Sequence, residues 1–190
     1  PNALAQYFYV DKKQYPNGFN LTTLKFQGQN GVDPVIEIYD GSRSISTASL
    51  LQKVNYSFWE YNYDIALDEQ IYFAPGSSFW VVAKFPAGAK NPLGAGKTSQ
   101  DNVAQYSFYS SNNGATWTQL TEVLKGSSFE AVSDHLTWAV QAISKNPDWS
   151  QVLNPEPVSG EVRPGESQTV TLKNDGQKLV NGTYKFNIHV

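Results

Sequence analysis

The stretch FWVVAKF, residues 79–85, decides the fold class of this chain. Successive side chains of a β-strand point to opposite faces, so a strand that is apolar on both faces is expected to be buried on both sides. The turn-forming run APGSS at 74–78 separates this stretch from the segment before it. The sequence therefore predicts a central β-strand here.

Other segments show the two-residue period of half-buried strands. The segments that alternate in this way are 21–27, 35–39, 59–67 and 136–143. By contrast, 42–52 is the only segment with a helical or loop-like pattern, and 86–100 is rich in Gly, Pro, Lys and Ser and predicts a long loop. The side chains that we expect to face inward are Thr22, Leu24, Phe26, Trp59, Tyr61, Tyr63, Ile65, Leu67, Leu136, Trp138, Val140 and Ala142.

Composition agrees with an all-β fold. Aromatic residues make up 14% of the 190 residues, and 14 Gly and 10 Pro supply turns between short apolar runs. Residues 145–147, Lys-Asn-Pro, are expected to form a linker, after which aromatics become rarer and three further β segments follow near 149–153, 167–173 and 183–190. We expect a β-sandwich or barrel before the linker and a small β module after it.

Charge and residue usage exclude several classes of function. The net charge is −3 and no run of Lys or Arg exceeds two residues, so no nucleic-acid partner is expected. The longest apolar run, 79–83, is far shorter than a membrane-spanning helix, so no membrane partner is expected either. Disulfides and thiolate metal sites are ruled out by the absence of Cys. Because the chain begins at Pro1 and contains no Met, we expect a piece of a longer polypeptide.

Groups suited to nucleophilic catalysis are sparse. The only imidazoles belong to His135 and His189. Asp134 and His135 are sequence neighbours, so on a strand they would point to opposite faces and could not act as a dyad. No G-x-S-x-G motif is present. We therefore expect no catalytic residues in this chain.

Two groups of carboxylates could in principle serve glycoside hydrolysis, but their spacing singles out no facing pair. Asp33 and Asp40 flank a predicted strand and are the candidate ligands for Ca²⁺, which prefers hard oxygen donors. The alternative is that they are solvated turn residues. No other cofactor is expected. The two carboxylate groups are Asp64, Asp68 and Glu69, and Asp33, Glu37 and Asp40.

Three aromatic residues are candidates for a ligand-binding platform on which sugar rings could stack: Tyr56, Phe58 and Tyr109. The alternative is core packing, since exposed aromatics indicate binding only when they form a patch. Glycan binding is therefore a second hypothesis at this point.

The stretch SSNNGATW, residues 110–117, is similar to the Asp-box pattern S-x-D-x-G-x-T-W of sialidases and other β-propeller proteins, with Asn112 in the place of Asp. The pattern occurs once, whereas a propeller repeats its blade motif. We therefore expect one tight hairpin, in which 112–114 form the turn and Trp117 returns to the core.

The end of the chain carries a second resemblance. The run PVSGEVRPGESQTV at 157–170 and the run LVNGTY at 179–184 resemble the Ig-like repeats of bacterial secreted and surface proteins. The resemblance implies an Ig-like module over residues 147–190 that acts as a spacer or accessory domain.

A third resemblance concerns the first domain. The strand at 79–85, the Gly-rich loop after it, the segment 109–117 and the strand at 137–143 are together similar to jelly-roll accessory domains of exported bacterial hydrolases, notably those behind subtilisin-like serine proteases. The resemblance implies an all-β, jelly-roll-like sandwich over residues 1–146.

Together these resemblances imply a non-catalytic C-terminal accessory region of a secreted or cell-surface bacterial hydrolase, with a subtilisin-like serine protease as the leading parent. The implied partners are the catalytic domain of the same polypeptide and a protein or polysaccharide substrate. The alternative is a carbohydrate-binding or adhesin module.

Overall fold

The computed structural model describes residues 2–28, 32–41, 44–56, 62–89, 93–97, 106–144, 153–157 and 159–174. Within these ranges the chain is built mainly of antiparallel strands, which confirms the predicted all-β fold. None of the helices in the described ranges is long and apolar enough to span a membrane. The strands are β1 (Ala3–Tyr9), β2 (Phe19–Gln27), β3 (Val35–Asp40), β4 (Leu50–Asn55), β5 (Asn62–Phe73), β6 (Ser78–Lys84), β7 (Ala95–Lys97), β8 (Ser107–Ser110), β9 (Thr118–Gln119), β10 (Leu136–Trp138), β11 (Val140–Ile143), β12 (Leu153–Glu156) and β13 (Thr171–Asn174).

Two sheets form the sandwich. The first has six strands in the order β4-β3-β6-β1-β8-β9, and the second has the order β11-β2-β5. The pair β10-β7 extends the second sheet through Ala139, whose N–H donates to the carbonyl of Gly94 and whose carbonyl accepts the N–H of Gln27. Apart from the pairs β3-β4 and β8-β9, strands that are neighbours in these two sheets are not consecutive in sequence, because the chain passes repeatedly from one sheet to the other. Such crossing connections are typical of sandwiches of the jelly-roll type.

The stretch 79–85 occupies the centre of the first sheet, as predicted. Strand β6 lies between β3 and β1, and its residues 79–83 are all buried. The ring of Phe79 stacks on Phe73 of the second sheet with centroids 4.2 Å apart, and it also contacts Phe19. The two sheets therefore share one main core, which consists of Leu4, Val10, Phe19, Leu21, Leu24, Phe26, Ile36, Ile38, Ile65, Phe73, Phe79, Val81, Ala83, Phe85 and Leu93.

The outer face of the first sheet has a second cluster, which we call the outer cluster and which consists of Ala3, Ala5, Ile45, Trp80 and Val82. Ile45 belongs to a short 3-10 helix, Ile45–Thr47, that covers part of this face. Outward-facing residues of a sandwich strand are usually solvated, so burial of this face explains why both sides of β6 are apolar.

Strand β2 differs from the prediction at its centre. Thr22, Leu24 and Phe26 were expected to face inward, and Leu24 and Phe26 are indeed buried. Leu21 and Thr23, expected on the outer face, are buried as well. The pairing of β2 with β5 shifts register between Leu21 and Thr23, and such a bulge moves the side chains after it to the opposite face.

Several elements were not predicted. Strands β1 and β4 carry no clear alternation, and β7 lies within the segment 86–100 that was expected to be a loop. The segment 42–52 contains the short 3-10 helix and the start of β4. Between β9 and β10 the chain forms one helical turn, α1 (Leu120–Val123), and a second 3-10 helix, Glu130–His135.

The other core predictions have mixed outcomes. Ile65 is buried, and Leu67, Trp138, Val140 and Ala142 pack against the main core. The side chains of Trp59, Tyr61 and Tyr63 lie outside the described residues.

Beyond the predicted linker the structure describes one hairpin. Strands β12 and β13 pair antiparallel from Leu153 opposite Asn174 to Glu156 opposite Thr171. They overlap two of the three predicted β segments, whereas the third, 183–190, and the linker at 145–147 lie outside the described residues. The boundary at residue 146 and the Ig-like module remain predictions.

Candidate functional site

The Asp-box-like segment forms the tight hairpin that the sequence predicts. The hydroxyl of Ser110 accepts the backbone N–H of Gly114 at 2.8 Å and donates to Asn112 Oδ1 at 2.8 Å. Asn112 Oδ1 also accepts the N–H of Thr116 at 2.9 Å, and Asn112 Nδ2 donates to Thr116 Oγ1. The amide oxygen of Asn112 therefore makes the turn contacts that a carboxylate oxygen could make.

Positive backbone angles complete this turn. Asn113 has φ 59° and Gly114 has φ 93°, both in the region that Asn and Gly tolerate best. A Cβ at position 114 would lie 3.1 Å from the ring of Trp117. Trp117 packs, partly buried, against the outer cluster rather than the main core. The hairpin is thus a structural unit that closes the outer face.

A charged network lies on the same outer face. The carboxylate of Glu37, on β3, is paired with Lys84 Nζ at 2.7 Å and accepts a hydrogen bond from the hydroxyl of Tyr39. The side chain of Glu37 is 8% exposed and that of Lys84 is 25% exposed. Both contacts are made to Oε2 of Glu37, so the buried carboxylate has a counter-charge and a hydrogen-bond donor inside the protein.

The pKa values of Glu37 and Tyr39 are both shifted away from neutral pH. Burial alone would raise the pKa of Glu37, but hydrogen bonds from Lys84 and Tyr39 and the charges of Lys84 and Lys53 outweigh it, so the pKa lies below its ordinary value. Burial, and then the contact with Glu37, raise the pKa of Tyr39 well above its ordinary value. Glu37 is therefore ionised and Tyr39 protonated at neutral pH, and neither is poised to exchange a proton.

A groove of about 560 Å³ opens where β8, β10 and the segment 120–129 meet. We call it the apolar groove. Its volume is in the range of pockets that hold small ligands. The residues that line it are Asn2, Leu4, Leu93, Ala95, Tyr109, Leu120, Val123, Leu124, Phe129, Leu136 and Trp138.

A buried polar contact positions one wall of the groove. Gln6 Oε1 accepts hydrogen bonds from the hydroxyls of Ser107, at 2.7 Å, and Thr137, at 2.8 Å. Because Thr137 is thereby fixed to β1, its neighbours Leu136 and Trp138 are held at the groove. Such fully paired buried groups specify one arrangement of the strands.

Two of the three aromatic residues in the lining, Tyr109 and Trp138, carry a polar atom, and each of these atoms is already used within the protein. The hydroxyl of Tyr109 donates to Asn2 Oδ1 at 3.1 Å, and the indole N–H of Trp138 donates to the carbonyl of Phe108 at 2.9 Å. These side chains therefore present mainly apolar ring surface to the groove. Two lining residues on the opposite side are open to solvent, Phe129 at 57% and Val123 at 39% exposure.

The rim of the groove is acidic. Between residues 120 and 135 the chain carries three carboxylates and one lysine. Lys125 pairs with Glu122 at 2.6 Å, which leaves the charges of Glu130 and Asp134 in excess within this segment, while on β7 the single charge of Lys97 lies opposite Leu136. Glu130 Oε2 accepts the N–H of Gly126 at 3.0 Å and thereby orders the turn between the two helical segments.

The three predicted ligand-binding aromatics do not form one platform among the described residues. Tyr56 and Tyr109 both pack against the main core. Tyr56 follows β4 and Tyr109 lies on β8, four strand spacings away, so the two are separated by roughly 19 Å across the sheet. Phe58 lies outside the described residues. Of the three, Tyr109 is the one that lines a groove.

The two candidate calcium ligands lie at opposite ends of β3. Asp33 and Asp40 are seven positions apart in largely extended chain, which separates them by roughly 23 Å, so one ion cannot bind both. Asp40 Oδ1 accepts the N–H of Ser49 at 3.0 Å and thus closes the loop after β3. Among the described residues no group of three potential metal ligands is found. Calcium binding at either aspartate alone remains a prediction.

The remaining candidates for catalysis are dispersed. Asp64, Asp68 and Glu69 are exposed along β5, where Asp64 lies 3.7 Å from Lys25. His135 ends the 3-10 helix before β10, so it is not on a strand as expected, and its neighbour Asp134 is exposed. His189 lies outside the described residues.

Known protein families, curated proteins and solved structures provide no match to this chain. Its function is therefore inferred from its own side chains. Sequence reasoning identified Tyr109 and placed Leu136 and Trp138 on one face, but it missed the residues of 120–129 that complete the groove. The apolar spacing of Leu120, Val123 and Leu124 was the available signal, because residues three and four apart share a helix face.

Proposed function

We propose that this chain is a non-catalytic accessory region of a secreted or cell-surface bacterial hydrolase, with a subtilisin-like serine protease as the parent. The observation that carries the proposal is that the groove and the buried titratable groups are in different places. The apolar groove is lined by hydrophobic and aromatic side chains, whereas the buried carboxylate of Glu37 is neutralised by Lys84 on the outer face. A site of this kind binds without carrying out proton transfer.

The accessory role assigns two tasks to the domain. It holds or orients the catalytic domain of the same polypeptide, and it binds the polymer on which that domain acts. The resemblances at 79–143 and 157–184 support this role, and so does a groove in which strands of the sandwich form one wall and the segment 120–129 forms the other.

Assays of the isolated chain test the absence of catalysis. The purified domain is incubated with casein and with a panel of nitrophenyl glycosides over pH 4–9. We expect no hydrolysis above the buffer blank. Turnover that disappears in His135→Ala or Asp64→Asn would contradict the proposal.

The second candidate is a carbohydrate-binding or adhesin module, and one observation favours it. Tyr7 and Tyr106 stack with their ring planes 14° apart and their centroids 5.8 Å apart, and Tyr106 and Tyr9 are exposed on the outer side of the first sheet. Exposed tyrosine rings are suited to stacking on sugars. Binding to insoluble polysaccharide that is lost in Tyr106→Ala and Tyr9→Ala would favour this candidate over the first.

A further inference from the structure

We propose that the apolar groove binds polypeptide segments in which neighbouring apolar side chains are flanked by Lys or Arg. This inference rests on the proposed accessory function and names the class of ligand that the groove selects. It is carried by three features of the groove: its apolar lining, the internal pairing of its polar atoms and the acidic rim.

The lining excludes a sugar as the preferred occupant. Hydroxyl groups that leave water need hydrogen-bond partners in the site. The hydroxyl of Tyr109 and the indole N–H of Trp138 already have partners in Asn2 and Phe108. An apolar side chain needs no such partner and gains from contact with the leucines and aromatic rings of the lining.

The rim distinguishes a basic peptide from an anionic amphiphile. Glu130 follows the exposed lining residue Phe129, whereas Glu122, next to Val123, is paired with Lys125. The carboxylate of Glu130 would repel the head group of a fatty acid or an acidic phospholipid. The same charge attracts Lys or Arg next to an apolar side chain seated in the groove, and complementary charge of this kind selects partners.

The size of the groove fits more than one side chain. A volume of about 560 Å³ matches a drug-sized ligand, which corresponds to a short stretch of peptide. Phe129 and Val123 stand at the edge where such a segment would enter, which explains two exposed apolar side chains within seven residues of chain.

The test is a titration of the folded domain, followed by ¹H–¹⁵N NMR, with blocked tetrapeptides that differ only in charge or polarity. The probes are acetyl-Lys-Leu-Phe-Lys-amide, acetyl-Glu-Leu-Phe-Glu-amide and acetyl-Lys-Ser-Asn-Lys-amide, with cellohexaose and decanoate as competing classes. We expect the first peptide to bind about tenfold more tightly than the second at low salt, with the difference shrinking as salt is added. The Ser-Asn peptide, cellohexaose and decanoate should not shift the groove resonances.

Two variants assign the binding to the groove. Phe129→Ala removes an exposed side chain and should weaken the Lys-Leu-Phe-Lys peptide about tenfold. Leu50→Ala, at a residue of β4 that is 50% exposed against 57% for Phe129, is the matched control outside the groove and should leave affinity unchanged. Glu130→Gln keeps an oxygen for the N–H of Gly126 and should reduce the preference for lysine flanks without abolishing binding.

Equal affinity in wild type and Phe129→Ala, tighter binding of cellohexaose or decanoate at the groove, or no binding of any probe would overturn the inference. None of these results bears on whether the domain assists a catalytic neighbour. That question is decided separately by hydrolysis of a polymer with and without the domain.

Discussion

At the scale of single residues, removing the buried charge of Glu37 should have a large effect on the free energy of unfolding. Glu37→Gln removes the counter-charge of Lys84, whose side chain is only 25% exposed to water. We therefore expect the free energy of unfolding to fall by about 2 kcal/mol at pH 7. Asp64→Asn is the control, because the ion pair of Asp64 with Lys25 is about half exposed to water. This substitution should lower the free energy of unfolding by about 0.5 kcal/mol or less. Urea denaturation of the three proteins measures the difference.

Because the pKa of Glu37 is lowered in the folded protein, we expect its contribution to stability to depend on pH. The pKa of Glu37 in the folded protein lies below its ordinary value of 4.5, so its stabilising contribution is present above that pH and is lost as the pH falls through the folded pKa. The deficit of Glu37→Gln relative to wild type should therefore be smaller at pH 3 than at pH 7. An equal deficit at both pH values would show that Glu37 acts through its shape rather than its charge.

Asn112 tests whether the departure from the Asp-box pattern matters to the turn. Asn112→Asp retains an oxygen for Ser110 and Thr116, and we expect stability within about 0.5 kcal/mol of wild type. Asn112→Ala removes both acceptor contacts and should cost about 1 kcal/mol. Ser111→Ala, at an exposed neighbouring position, is the control for thermal or urea unfolding. If Asp proves as costly as Ala, the amide contact to Thr116 Oγ1 holds the turn instead.

At the scale of elements, the helical segment that forms one side of the groove depends on a single anchor. A helix of one turn is not stable on its own, and Leu120 is the residue of α1 that is buried, at 2% exposure. Leu120→Ala should therefore release the segment 120–135, with faster amide hydrogen exchange there and little change in β1, β3 and β6. Val123→Ala, at an exposed site, should leave the exchange pattern unchanged. Slower exchange throughout the segment, or release by Val123→Ala alone, would contradict this anchoring.

Elements differ in how far the sequence predicts them, for physical reasons. β6 was predictable because a strand buried on both faces is apolar throughout. β1 was missed because its small outward residues Ala3 and Ala5 are buried as part of the outer cluster, which removes the alternation of apolar and polar residues. The bulge in β2 changes the phase of its pattern midway. In α1 the helical spacing of Leu120, Val123 and Leu124 covers a single turn, which is too short to decide between a helix and a loop.

At the scale of the whole molecule, the fold depends on the contact between its two sheets. Phe79 of the first sheet is 1% exposed and stacks on Phe73 of the second. Phe79→Ala should destabilise the domain by about 4 kcal/mol, whereas Leu51→Ala, at a residue 46% exposed, should have little effect. Denaturant titrations followed by circular dichroism compare the two. A similar small loss in both would mean that the sheets do not share one cooperative core.

The candidate site was less predictable than the fold. One wall of the apolar groove is formed by strand residues such as Trp138, whose face the alternation predicted correctly. The other wall is formed by a short helical segment between β9 and β10, which was not predicted. The groove is formed by contacts between residues that are distant in sequence, and local periodicity does not predict such contacts. Pairings such as Tyr109 with Asn2 are of the same kind, since 107 positions separate them.

The central claim is that the chain assists a catalytic domain instead of acting as one. The most direct measurement compares the full-length polypeptide with a version that lacks residues 1–190, on a blocked chromogenic tetrapeptide and on an insoluble protein substrate. We predict unchanged kcat/KM on the tetrapeptide and at least about tenfold slower hydrolysis of the insoluble substrate, since only polymer binding is lost. Loss of tetrapeptide hydrolysis in a deletion variant that remains folded by circular dichroism, or equal rates on both substrates, would contradict the claim.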